Sequence, residues 1–223
     1  MAATVKVIDL IDKAEEILQD NTNVKWSQQS LLSYLNDAQR EIVLIRPDAN
    51  VSNEQFTLAQ SAKQTLPADA LRLLSLYKNA SPTTKTIQNI QKKVLDDTVS
   101  DWYGTSGTFV EYYVYDERDP KNFYVYPHPS GGGHKADIVF SFAPDKINIA
   151  DFSTSTTVIG LDDIYANAIF DYMLYRAYQK DTESASDLNK ATLFLQSFQN
   201  SMGIKSQADT ASSPKPSTPT EIT

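Results

Sequence analysis

The sequence predicts an α+β protein: a mainly α-helical bundle of about four helices, a β-rich insertion between the second and third helices, and an extended C-terminal tail. Three observations predict it. Apolar residues recur at helical spacing towards both ends of the chain, the period changes to that of short strands between Pro47 and Pro144, and residues 204–223 hold three prolines among Ser and Thr. The expected boundaries are residues 1–48 and 160–203 for the bundle, 49–159 for the insertion and 204–223 for the tail.

Val7, Leu10, Ile11, Ala14, Ile17 and Leu18 mark one face of a first helix, which the polar run Asn21 to Asn23 breaks. Ser27 is placed to cap a second helix, with Leu31, Leu32, Leu35, Ala38, Ile42 and Ile45 on its apolar face. Pro47 disfavours helical backbone at Arg46 and stops it. In the insertion, Phe109 to Tyr115 and Phe123 to Tyr126 flank the polar loop DERDPKN as a hairpin, with further strands expected at Leu71 to Tyr77 and Ala136 to Phe142. Gly131 to Gly133 read as a mobile or partner-facing loop, because consecutive glycines make backbone freedom cheap.

The stretch LDDIYANAIFDYMLYRAYQ, residues 161–179, is apolar or aromatic on almost every side of a helix. Such a helix must be covered, either by its own bundle or by another chain. A last amphipathic helix presents Leu188, Ala191, Phe194, Leu195, Phe198 and Met202 on one side and is expected to stop at Gly203. The tail beyond it cannot build a core that offsets an ordering cost of about 1–2 kcal/mol per residue, so a partner is expected to order it.

Composition excludes several chemistries. The 223 residues carry a net charge of −8, the wrong sign for a broad grip on phosphate backbones. With no cysteine there is no disulfide, thiolate nucleophile or Cys-based metal site. The N-terminus has acids where a signal peptide has an apolar run, and Asp162, Asp163, Asp171 and Arg176 interrupt the one candidate membrane span, so a soluble, unprocessed protein without membrane contact is expected. His128 and His134 bracket PSGGG without HExxH spacing and with only Asp137 as a nearby acid, the pattern of solvated loop histidines. No GxSxG, GxxxxGK[ST] or GxGxxG occurs. Adjacent acids such as Asp96 with Asp97, Asp116 with Glu117, and Asp162 with Asp163 point in different directions on a strand or helix, and the last pair suits a helix N-terminus. No catalytic residue, cofactor or metal is assigned, and an enzyme is not expected.

The aromatic run from Trp102 to Tyr126 fits a sheet face that also meets a partner, since tyrosines favour both strands and interfaces. Tyr112, Tyr124, Tyr126, Tyr175 and Arg176 are the candidates for contact with a neighbouring subunit or another protein. Asp171 and Arg176 lie in the apolar helix and need partners, for which Arg40 or Glu41 of the second helix are placed.

Four segments resemble the head-to-tail adaptor proteins of short-tailed bacteriophages: KWSQQSLLSYLNDAQREIVLIRPDA at 25–49, LPADALRLLSLYKN at 66–79, LDDTVSDWYG at 95–104 and LDDIYANAIFDYMLYRAYQKDTESA at 161–185. They occur in the family's order across most of residues 4–203. The resemblance implies a structural virion protein at the head-tail junction, assembled in the host cytoplasm as a dodecameric ring. Its implied partners are the portal protein, the tail nozzle and copies of itself, with genomic double-stranded DNA passing through without tight binding. Ile204, Lys205, Lys215, Pro216 and Ile222 of the tail are then the candidates for portal contact. A phage tail protein that binds or degrades glycans, through the tyrosine hairpin and the acids of its loop, is the alternative reading.

Overall fold

The computed structural model describes residues 3–180 and 185–212, with side chains described for 3–180 and 186–203. In chain order the elements are α1 (Val7–Leu18), α2 (Gln28–Ile45), β1 (Val51–Thr57), β2 (Lys63–Thr65), β3 (Ala70–Ser81), β4 (Gln88–Asn89), α3 (Lys92–Thr98), β5 (Ser106–Gly107), β6 (Tyr112–Tyr115), β7 (Asn122–Tyr126), β8 (His128–Pro129), β9 (Lys135–Phe142), α4 (Ala166–Lys180) and α5 (Ala185–Ser212). Short 3-10 turns stand at Pro47–Ala49 and Asp163–Tyr165. The chain forms two compact units, one from the described residues up to Ile45 and from Lys146 onward, the other from Arg46–Asp145.

The expectation of a mainly α-helical bundle of about four helices is overturned. The described residues hold five α-helices and nine strands in three sheets, a mixed α+β structure in which Arg46–Asp145 builds cores of its own. Strands of two to five residues carry almost no periodic signal, so the long helical periods dominate the sequence pattern.

In the terminal unit, α4 packs on α1, α2 and α5. Ala168, Ile169, Met173, Leu174, Ala177 and Tyr178 are buried, so much of this helix's apolar girth is covered within its own chain. α1 buries Val7, Leu10, Ile11, Ala14 and Leu18, while Ile17 and Ile45 of the expected apolar faces are exposed, as is Leu188 on α5. The chain leaves α1 through Gln19 at φ 56°, and the Asp20 carboxylate accepts the backbone N–H groups of Val24, Lys25 and Trp26 at 3.0, 2.8 and 2.8 Å. Ser27 Oγ then accepts the Ser30 N–H at 3.2 Å and starts α2. The Trp26 indole N–H donates to the Ala177 carbonyl at 3.0 Å, tying that loop to α4.

Buried carboxamides hold the irregular connections. Asn36 on α2 donates to the Ile147 carbonyl at 3.0 Å and accepts the Ile147 N–H at 2.8 Å, and Gln39 accepts the Gly160 N–H at 2.6 Å. A Cβ at position 160 would come 3.1 Å from Gln39 Oε1, so the close approach favours glycine there. The N-terminal segment pairs with the segment before Gly160 through Val7 N–H to the Thr157 carbonyl and Ile159 N–H to the Val5 carbonyl. The Asp163 carboxylate accepts the Thr4 hydroxyl and the Thr4 and Val5 amides.

The helix expected to stop at Gly203 runs on to Ser212, so the extended reading of the tail fails for residues 204–212. One glycine costs a helix only about 1 kcal/mol, nothing crowds Gly203, and the first proline after it is Pro214. Residues 213–223 lie outside the described residues.

In the second unit, β1, β9 and β3 form an antiparallel sheet in that order, and β2, β7, β6 and β4 a mixed one in which β4 pairs parallel with β6. Leu73, Leu76, Ile138 and Phe140 of the first share a core with Tyr113, Phe123 and Val125 of the second. The opposite face of β6 and β7 is covered as well: Val114, with Tyr124 and Tyr126 beside it, packs with Leu95 of α3 and Trp102. β3 spends twelve residues against the eight of β9, with a register shift after every second paired residue that leaves Leu71, Leu74, Tyr77 and Ala80 without a partner in β9. Two more carboxamides secure this unit. Asn79 donates to the Lys85 and Val110 carbonyls and accepts the Val110 N–H at 3.0 Å, while Gln64 closes the Ala59 to Ser61 turn.

Asn79→Ala orphans buried backbone groups and is expected to lower unfolding free energy by about 1–3 kcal/mol, read by urea denaturation. The Trp26 amide, and after it those of Lys25 and Val24, hold the Asp20 carboxyl below its ordinary value. A depressed folded value means that this contribution is complete above about pH 4, the unfolded aspartate value, and is lost as pH falls through the lower folded one. Amide exchange protection at Val24 and Trp26 is expected to fall in that acid window, and Asp20→Asn to remove the dependence.

Candidate assembly surfaces

Pairing Tyr112 with Tyr126 and Val114 with Tyr124 sets the three candidate tyrosines of the hairpin on one face of β6 and β7. Tyr112 and Tyr126 stack at 6.5 Å, and Tyr124 meets Trp102 and Tyr103 edge-on at 6.1 and 5.7 Å. All three tyrosines are half-buried. Trp102 is in turn fixed by its indole N–H, which donates to Asp96 at 2.9 Å, and Asp96 pairs with Lys92 at 2.8 Å. That lysine, and then the indole, hold the Asp96 carboxyl below its usual range.

Beside the hairpin tip lies a groove of about 670 Å³ with Val114, Tyr124, Lys92, Asp116 and Arg118 among its lining residues. Asp116, one of the acids in its lining, is poorly suited to act as a general acid. The Arg118 guanidinium, bonded to Asp116 at 3.0 and 2.8 Å, holds that carboxyl at about 2, whereas a general acid needs a raised value. Among the described residues no group of three or more His, Asp or Glu side chains could hold a metal ion. His128 is half-buried with Nδ1 3.1 Å from the Pro129 carbonyl, and His134 is buried, against the expectation of solvated loop histidines.

In the terminal unit, Tyr175 and Arg176 stand on α4, and Arg176 sits beside α2. Arg176 lies 3.8 Å from Asp37 and over the Tyr34 ring at 5.8 Å, so its partners are not the expected Arg40 or Glu41. Tyr175 meets Tyr172 edge-on at 5.6 Å, and Tyr172 meets Phe198 of α5 at 5.2 Å. Asp171 accepts the Ser197 hydroxyl at 2.6 Å, again in place of an α2 partner, and burial pushes its carboxyl above the ordinary value. Tyr34, Asp37 and Tyr172 complete this patch and went unnoticed in the sequence. The i, i+3 spacing of Tyr34 and Asp37 on one side of α2 was the signal available.

The backbone of Ile204 and Lys205 belongs to α5, while Lys215, Pro216 and Ile222 lie outside the described residues. No helix among the described residues is long and apolar enough to cross a membrane.

The chemistry on these surfaces is that of contact. Half-exposed tyrosines, one arginine and ion-paired acids can bury area against a protein partner. No curated protein matches the chain. The family model described as SU10 adaptor protein matches residues 5–218, nearly the whole length and both units, and the chain belongs to that family.

Proposed function

We propose that this protein is a head-to-tail adaptor that forms a ring between the portal and the tail nozzle and lets genomic DNA pass through. Membership of a phage adaptor family makes it a structural component of the virion that meets other virion proteins. The observation that carries the finer reading is the reach of the family match, which takes in the hairpin unit, the helical unit and most of the chain beyond Gly203. In this reading Ile204, Lys205, Lys215, Pro216 and Ile222 contact the portal. Tyr112, Tyr124 and Tyr126 meet the nozzle or a neighbour, and Tyr175 and Arg176 meet the next subunit.

The charge supports passage without capture. Copies at −8 each, arranged around a channel, repel duplex DNA and keep it from sticking.

Two measurements test this. Deleting residues 204–223 is expected to leave a folded chain that no longer adds to portal-containing heads, scored by sedimentation of the heads. Normal addition of the truncated chain would remove the portal role from this segment. The isolated protein is expected to show no appreciable binding to duplex DNA at low salt by fluorescence anisotropy, and a micromolar dissociation constant would refute the repelling channel.

A further inference from the structure

From Ala191 to Gly203 the chain holds no charged residue, although 22% of the whole is charged. This stretch forms the middle of α5, whose inner side packs on α4 through Ala191, Phe194, Phe198 and Met202. Its outer side presents Leu193, Gln196 and Asn200, all exposed, with Leu193 at 64%. A helix side meant for water ordinarily carries charge, whereas uncharged amides around a leucine cost less to bury than charged side chains and can hydrogen-bond across an interface.

α2 carries a second exposed leucine, Leu44 at 73%, on the side that also bears Asp37, Arg40 and Glu41. With Arg176 beside Asp37, two cations balance two anions there. Copies of a chain at −8 repel one another over most of their surface, so they approach most easily where the local charge sums to zero. These two faces meet that condition. They belong to different helices, both packed on α4, so a contact between them joins unlike surfaces, the arrangement that generates a ring when its rotation closes.

We infer that the outer face of α5 around Leu193 seats on the α2 face around Leu44 of a second copy of this chain, as the lateral contact of the ring. The inference rests on the ring reading and adds the surfaces that make it.

The absence of cysteine permits a clean test. The doubly substituted chain, Leu44→Cys with Leu193→Cys, is added to portal-containing heads and oxidised with copper phenanthroline, a bond that requires Cα atoms within about 7 Å. Non-reducing gels are expected to show a ladder from dimer upward, absent from either single variant. As a second readout, Leu193→Glu is expected to reduce addition at least tenfold, and Leu44→Lys in the same chain to restore it. A ring that forms without the ladder and is indifferent to Leu193→Glu overturns this contact while leaving the ring reading intact. Cross-linking by either single variant also overturns it, because like would then be meeting like. If the unsubstituted chain forms no ring on heads, by mass measurement, the ring reading itself fails and this contact with it.

Discussion

A buried backbone amide or carbonyl must find a partner, and in this protein the connections that run against the cores are too irregular to pair with one another. Four buried carboxamides meet that demand. Asn36 and Gln39 reach from α2 to Ile147 and Gly160, Gln64 closes its own turn, and Asn79 joins β3 to the chain at Lys85 and Val110. An amide side chain carries donor and acceptor together, so one residue can serve both backbone groups of a neighbour. Without these links the helices and strands could still form locally, but the segments between them would lie in apolar surroundings with groups unpaired, at a cost of about 1–3 kcal/mol each.

The two units solve the problem of aromatic excess in different ways. In the second unit, β6 and β7 are covered on both faces, so tyrosines expected on a sheet face that meets a partner spend much of their surface inside, with Trp102 and Leu95 over one side and the β3 and β9 sheet over the other. In the terminal unit, α4 is wrapped by three helices of its own chain, its half-exposed Tyr172 and Tyr175 meet edge-on, and its Arg176 lies over Tyr34 of α2. Several acids near these rings are paired with cations. Asp116 is held by Arg118, Asp96 by Lys92, and Asp37 lies beside Arg176. A surface of paired ions and partly covered rings suits docking, in keeping with a structural virion family.

The helices α1, α2 and α4 and the strands at 112–126 and 135–142 were legible because each repeats its own period over several residues or alternates around a turn. β1 was not, since VSNEQFT is mostly polar and pairs with β9 from an exposed edge. α3 was hidden because seven residues give too few turns for a pattern. The end of α5 was misplaced because Gly203 has the chemistry of a stop without the crowding or conformation that makes one. The assembly patch was half legible: Tyr175 and Arg176 stand out in an apolar run, but nothing in α2 by itself says that Tyr34 and Asp37 face Arg176, which is a matter of how two helices far apart in sequence meet.

β3 repeats its exposure every third residue, with Ala70, Leu73, Leu76 and Asn79 inward. In an ordinary strand, sliding by one position inverts inside and outside, and sliding by two restores them. Here the strand has three sides, so neither one step nor two recovers the buried set, and only a displacement by a whole triplet does. Lengthening or shortening this strand by three residues keeps its inward row, provided that β9 changes by the two residues that pair with each triplet, a reading frame written into the polypeptide itself.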